Sequence, residues 1–141
     1  GKTRLESLED VRNLNLWGQD LDDVSLLAQL PLVEILSFSV NRIGSLRDFR
    51  HCQSLQELYL RKNEVAELAE LQYLKNLPNL KVLWLSDNPI AEYPYYRQLT
   101  IRVLPQLEKL DSTEVSDFER AEALNNPELD AYLGPSARLA G

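Results

Sequence analysis

Residues 55–63 read Leu-Gln-Glu-Leu-Tyr-Leu-Arg-Lys-Asn, and residues 80–88 follow the same pattern as Leu-Lys-Val-Leu-Trp-Leu-Ser-Asp-Asn. Leucine occupies the first, fourth and sixth positions of both stretches, and asparagine occupies the ninth. The pattern recurs at residues 33–41 and, with glutamine in the ninth position, at residues 11–19. The ninth positions are residues 19, 41, 63 and 88, so successive units are 22, 22 and 25 residues apart. The sequence is therefore an array of one repeated packing element.

Units of this length and spacing are typical of the leucine-rich repeat. Side chains alternate along a strand, so the residues at the fourth and sixth positions share one face, which we expect to be buried. The pattern predicts an α/β fold: a right-handed leucine-rich-repeat solenoid with a parallel sheet on the concave face and helices and turns on the convex face. A fifth unit begins at Leu107 but loses the pattern at Ser112 and Val115, as expected where a solenoid ends.

The two ends of the array require helical caps that cover the terminal units. We expect an N-terminal cap at residues 1–10, four repeats at 11–104, a C-terminal cap repeat and helix at 105–127, and a partly ordered tail at 128–141. Capping boxes at Thr3-x-x-Glu6 and Ser116-x-x-Glu119 predict the start of each cap helix. The apolar residues expected to face the repeats are Leu5 and Leu8 in the first helix and Phe118, Ala121 and Leu124 in the second.

The convex side of the longest unit contains apolar residues at every third position. This spacing predicts the clearest internal helix of the array, of α or 3₁₀ type, within residues 66–77. The polar residues at the ninth positions are predicted to hydrogen-bond the turns of their own and neighbouring units. These residues are Gln19, Asn41, Asn63 and Asn88. Because Gln19 replaces asparagine, we expect the first unit to be the loosest.

Composition excludes several classes of function. The net charge of −7 opposes binding to nucleic acid. The sequence contains no run of 18 apolar residues without a charge, so no membrane span is predicted. Its N-terminus lacks a charged and then apolar leader, so no secretory signal is predicted. Cys52 is the single cysteine, which excludes an intramolecular disulfide and favours a reducing compartment. With one histidine beside it, His51, the chain cannot supply a four-ligand zinc site. No catalytic or phosphate-binding motif is present, so we predict neither an enzyme nor a cofactor.

The residues at the third, fifth and seventh positions of each unit should point away from the core, onto the concave sheet. The candidate partner-binding residues among them are Trp17, Ile35, Tyr59, Arg61, Val82 and Trp84. Tyr59 and Trp84 occupy the same position of neighbouring units and should lie about 5 Å apart. Tryptophan, tyrosine and arginine are enriched in interface hot spots, which predicts a protein-binding site. The alternative is that the aromatic rings only shield the sheet.

Charge gives the predicted site a second feature. Arg61, Lys62 and Lys81 should make the middle of the sheet locally basic, which would suit an acidic peptide with aromatic residues. These charges could equally serve only to solvate the surface.

The sequence also carries a more specific resemblance. Leu14-Asn15-Leu16-Trp17-Gly18, Glu57-Leu58-Tyr59-Leu60-Arg61-Lys62-Asn63 and Val82-Leu83-Trp84-Leu85 resemble the N-terminal repeat domain of the cilia- and flagella-associated protein 410 family. The stretch Leu104-Pro105-Gln106-Leu107-Glu108-Lys109-Leu110-Asp111 resembles a C-terminal cap shared more widely, including by the spliceosomal A-prime repeat protein. Gln19, Phe38 and Val65 depart mildly from the family pattern.

The resemblance implies a non-enzymatic protein of the cytoplasm, the basal body and the cilium that is needed for cilium formation. It also implies a NIMA-related kinase as a partner. Relatives of this family continue into a C-terminal module that oligomerises, so we expect this domain alone to be a monomer. Three alternatives remain open: a nuclear adaptor of the spliceosomal A-prime type, a phosphatase-regulatory subunit, and a structural element packed against axonemal tubulin.

Overall fold

The computed structural model describes residues 7–133, and in it six short strands form one sheet in chain order. The strands are β1 (Asn13–Asn15), β2 (Ile35–Ser37), β3 (Glu57–Tyr59), β4 (Val82–Trp84), β5 (Lys109–Leu110) and β6 (Thr113–Glu114). β1 to β5 are parallel, and β6 pairs antiparallel with β5. The core-facing leucines at residues 14, 36, 58, 83 and 110 are in register across the five parallel strands. The sheet confirms the predicted α/β leucine-rich-repeat fold.

The connections on the opposite side of the sheet are mainly short 3₁₀ segments. They are Ser25–Gln29, Arg47–His51, Leu68–Leu74 and Pro89–Glu92, and α1 (Tyr96–Val103) then follows on the way to β5. Leu68–Leu74 is the longest 3₁₀ segment, in the unit where the sequence predicts the clearest helix. Its leucines suit this geometry because residues three apart eclipse in a 3₁₀ helix and share its buried side.

The core runs along the whole stack between the sheet and these segments. Phe38 and Phe49 are fully buried and contact each other with ring centroids 6.1 Å apart. In β1 and the turn after it, Leu14 and Leu16 are only partly buried, whereas their counterparts in the next unit are fully buried. The first unit is therefore the least tightly packed of the four, as the sequence suggested.

The N-terminal cap differs from the prediction where it can be compared. The proposed capping box at Thr3-x-x-Glu6, together with Leu5, lies outside the described residues. A 3₁₀ segment spans Leu8–Asp10, and Leu8 is half exposed rather than turned toward the first repeat. Val11 packs against the core instead, because the chain has become extended there on its way into β1.

The C-terminal cap contains α2 (Asp117–Asn125), followed by a 3₁₀ segment at Pro127–Tyr132. The predicted capping box is present, since the Glu119 backbone N–H donates to Ser116 Oγ at 3.1 Å. The predicted inward face is wrong: Phe118, Ala121 and Leu124 are exposed, and Ala123 is buried in their place. The end of the tail, residues 134–141, lies outside the described residues.

Polar contacts from α1 explain this orientation of α2. Arg97 donates to Glu119 at 2.5 Å, and Arg102 donates to the carbonyl oxygens of Ala123 and Asn126 at 3.3 and 3.0 Å. Both arginines extend from α1, so they fix which side of α2 lies against it.

Candidate protein-interaction surface

The sheet face consists of the residues of the four repeats that point away from the core, and register arranges them in columns. The fifth-position column contains Asn15, Ser37, Tyr59 and Trp84 on adjacent strands. The rings of Tyr59 and Trp84 contact each other, with centroids 6.3 Å apart and planes inclined by 42°. Both residues are partly buried, so part of each side chain stays exposed. The structure thus brings these two predicted site residues together.

Tyr59 is held in place by a hydrogen bond within its own strand. Its hydroxyl donates to Glu57 Oε1 at 2.6 Å. This hydrogen bond to a carboxylate, together with partial burial, raises the pKa of Tyr59 to about 12. The phenol is therefore neutral near pH 7, and its position is fixed before any partner arrives.

Arg61 lies beside this pair in the seventh-position column, which begins with Trp17. Its Nη1 donates to Asp87 Oδ2 at 3.0 Å in an exposed salt bridge. Because Asp87 balances this charge, the middle of the sheet is less basic than the sequence suggested. The geometry therefore supports an aromatic contact surface more strongly than a preference for acidic peptides.

The other predicted partner residues are distributed around the aromatic pair. Ile35 and Val82 are partly buried in the third-position column: Val82 lies two residues before Trp84 on β4, and Ile35 lies on β2, opposite Glu57 of β3. Trp17 lies in the turn after β1 and is 58% exposed. On the described part of the sheet face, the ring contact joins Tyr59 and Trp84 and does not include Trp17. Trp17 is therefore a separate exposed position rather than a third member of an aromatic stack.

Asparagines at the ninth positions hold the turns beneath the sheet face together. We call Asn41, Asn63 and Asn88 the Asn ladder. Asn63 Oδ1 accepts from the Ile43 backbone N–H at 3.0 Å, and Asn63 Nδ2 donates to the carbonyl oxygens of Phe38 and Leu60, each at 3.0 Å. Each of those carbonyls also accepts from a neighbouring asparagine, Phe38 from Asn41 and Leu60 from Asn88. The side chains therefore link successive units through shared carbonyl groups.

Gln19 does not join this arrangement. Its side chain is exposed and donates to the carbonyl of Trp17 in its own turn at 3.2 Å. Its backbone N–H donates to Asn41 Oδ1 at 2.9 Å, so Gln19 is bound by the Asn ladder without extending it. The reason is positional. Asn41 donates to the Leu16 carbonyl of the unit before it, but β1 is the first strand of the described sheet, so no earlier described repeat offers Gln19 such a carbonyl.

Asp111 is a structurally important residue that the sequence analysis missed. Its Oδ1 accepts from the backbone N–H groups of Leu85 and Ser86 at 2.7 and 2.9 Å. Its Oδ2 accepts from the Tyr96 hydroxyl at 3.0 Å. Burial, and to a smaller extent the negative charge of Asp111, raise the pKa of Tyr96. The sequence contained a signal for this role, because Asp111 directly follows Leu110, where the repeat pattern ends. A carboxylate at that point can accept the backbone N–H groups of the preceding turn that would otherwise lack an acceptor.

Residues 7–133 contain neither a metal-ligand cluster nor a membrane-spanning helix. This part of the chain contains no group of three or more histidine, cysteine or carboxylate side chains placed to hold a metal ion. None of its helices is long and apolar enough to cross a membrane.

The fold and the repeat pattern together define the class of the protein: the chain belongs to the leucine-rich-repeat family, whose profile matches residues 7–128. Among solved structures it is similar to a chain of the Drosophila melanogaster SNF/U2A' complex, with a TM-score of 0.75. The two are 24% identical, and the match covers 94% of this chain and 75% of that chain. This likeness shows the shared fold.

At the level of sequence, the chain is similar to human cilia- and flagella-associated protein 410. The two are 44% identical over 129 residues, covering 90% of this chain and 50% of the human protein. An uncharacterized protein of Caenorhabditis elegans is 46% identical over 130 residues, covering 89% of this chain and 28% of that protein. The chain thus spans half or less of these relatives. Its repeat fold and these similarities confirm the family resemblance and support a protein-interaction function.

Proposed function

We propose that this chain is the partner-binding domain of a ciliary protein and that it binds its partner through the sheet face. The observation that carries the proposal is the contact between Tyr59 and Trp84, which lie on adjacent strands and are both only partly buried. Tyrosine and tryptophan contribute large contact areas to interface hot spots. Because both rings are already ordered, binding loses little side-chain entropy at this point.

The remaining sheet-face residues extend the proposed contact. Ile35 and Val82 supply apolar surface in the third-position column, and Arg61 supplies donors beside the rings. Trp17 is a second, separate anchor in the turn after β1. A partner that contacts both regions would lie across the strands rather than along a single one.

The ciliary part of the proposal rests on sequence similarity. The human relative is named as cilia- and flagella-associated, and the match includes 90% of this chain. We propose accordingly that the protein acts at the cilium base, the basal body and the cilium, and in the adjoining cytoplasm. We also propose a NIMA-related kinase as its partner, and a non-enzymatic role for the domain itself.

A direct binding assay tests this proposal. Purified NIMA-related kinase is titrated against the immobilised chain, its Tyr59→Ala/Trp84→Ala variant and a Leu8→Ser control, since Leu8 is a half-exposed apolar residue outside the sheet face. Each aromatic truncation is expected to cost about 2 kcal/mol, about 4 kcal/mol together, so the double variant should bind roughly 1,000-fold more weakly, while the control binds normally. Equal binding by the double variant, with its fold confirmed by circular dichroism, would refute the role of the sheet face.

The second candidate is a nuclear adaptor of the spliceosomal A-prime type. Its support is the shared fold with a chain of the SNF/U2A' complex. A pull-down from ciliated-cell extract separates the two candidates. Ciliary proteins and kinases should be recovered under the first, and RNA-binding splicing proteins under the second.

A further inference from the structure

Helix α2 has an apolar stripe on the side that faces away from the protein. Phe118, Ala121 and Leu124 are spaced three residues apart, which places neighbouring members of the set on the same side of the helix. Phe118 is 74% exposed and Leu124 40% exposed, and Ala121 is also exposed. Exposed apolar side chains gathered on one side of a helix are a feature of interaction sites.

The opposite side of α2 is already committed to polar contacts. Glu119 accepts from Arg97 Nε at 2.5 Å and from Arg97 Nη2 at 3.0 Å. Arg120 donates to the carbonyl oxygens of Pro105 and Leu107, each at 2.8 Å. Rotating α2 to bury the apolar stripe would break all four of these charged hydrogen bonds. The stripe therefore stays exposed while the cap is folded.

The exposed charge around the stripe is negative. The three arginines that contact this cap, at residues 97, 102 and 120, direct their guanidinium groups to carboxylates and carbonyl oxygens of the cap itself. Glu122 lies one turn from Phe118 and flanks the stripe, whereas Asp117 lies one turn from Ala121 and accepts from Arg120 Nη1 at 2.7 Å. Both carboxylate residues are exposed, as are Glu114 and Glu128 near the two ends of the helix.

We propose that this stripe docks a basic amphipathic helix of a protein partner. Its apolar side chains would cover Phe118 and Leu124, and its lysines or arginines would meet Glu122 and the exposed carboxylates near the two ends of the helix. Helix docking through apolar residues at intervals of three and four is a common mode of recognition. A second copy of this chain is disfavoured, because two α2 helices would bring like charges together. The proposal is independent of the sheet face.

The test uses two synthetic helical probes of about 14 residues, one of leucine and lysine and one of leucine and glutamate. Each probe is titrated into the full chain and its variants by isothermal calorimetry. Phe118→Ser removes the centre of the stripe, and Glu122→Lys reverses one flanking charge. Leu8→Ser is the control because Leu8 is a half-exposed apolar residue outside both the C-terminal cap and the sheet face, and Trp84→Ala reports binding at the sheet face. Thermal melts establish that every variant is folded.

The lysine probe is expected to bind the unmodified chain and to weaken about tenfold with Phe118→Ser. Glu122→Lys should weaken it about fivefold and reduce its dependence on salt. Leu8→Ser and Trp84→Ala should leave its affinity unchanged. The proposal is overturned if the lysine probe does not bind, if the glutamate probe binds as tightly, or if Trp84→Ala rather than Phe118→Ser abolishes binding.

Discussion

Truncating Asn63 to alanine tests how the Asn ladder stabilises neighbouring repeats. Asn63 is 6% exposed, and its Oδ1 is the acceptor for the buried Ile43 backbone N–H. Without Asn63, that N–H loses its acceptor, which costs about 1–3 kcal/mol. The carbonyls of Phe38 and Leu60 each lose one donor but retain another, from Asn41 and Asn88. The two lost carbonyl bonds add about 0.5 kcal/mol each, so the expected total is about 3 kcal/mol.

Urea unfolding followed by tryptophan fluorescence and circular dichroism measures this loss. The free energy of unfolding should fall by about 3 kcal/mol, and the thermal midpoint by about 10 °C. Gln19→Ala is the matched control, because its exposed side chain makes one hydrogen bond within its own turn, and it should cost less than about 0.5 kcal/mol. A cost below about 1 kcal/mol for Asn63→Ala, or an equal cost for both variants, would show that the shared carbonyls do not link the units.

Three further predictions concern single residues. Val40 is β-branched and has φ of +60°, so Val40→Asn should raise the free energy of unfolding by about 1 kcal/mol in urea, whereas Lys62→Asn at the equivalent position should gain less. The hydrogen bond from Arg97 lowers the pKa of Glu119, so the contribution of this pair to stability is present above about pH 4.3 and is lost as pH falls through the lowered pKa. Glu119→Gln should therefore flatten the acid side of a plot of unfolding free energy against pH, and an unchanged slope would contradict the assignment. Burial raises the pKa of Cys52 to about 12, so a thiol reagent should modify it only at the rate of unfolding, and rapid labelling of the native protein would contradict this.

Repeat spacing was sufficient to predict the register of the sheet. Each interval between ninth positions specifies which residues face each other on neighbouring strands, because every unit repeats the same geometry. The pairing of Tyr59 with Trp84 follows directly from this spacing. The looser first unit was also predictable, since an incomplete pattern identifies a terminal repeat.

The C-terminal cap was less predictable because contacts distant in sequence determine its orientation. The spacing of Phe118, Ala121 and Leu124 suggested an inward face, but Arg97 and Arg102 on α1 hold the other side of α2. The spacing of apolar residues within one helix contains no information about side chains that contact it from another helix. The antiparallel β6 was missed for a related reason: two residues are too few to show an alternating pattern. At the sheet face, the pairing of Arg61 with Asp87 depends on side-chain geometry that spacing alone does not specify.

Asp111 has a consequence for how such arrays can change in length during evolution. Its carboxylate occupies the two N–H groups of β4's turn that the next full unit would otherwise engage, and β6 then reverses direction. A duplicated unit inserted between existing repeats would meet compatible strands on both sides. The same unit placed after Asp111 would meet an antiparallel neighbour. Descendants of this gene should therefore gain or lose repeats internally, while the segment from α1 to α2 is inherited as one indivisible block.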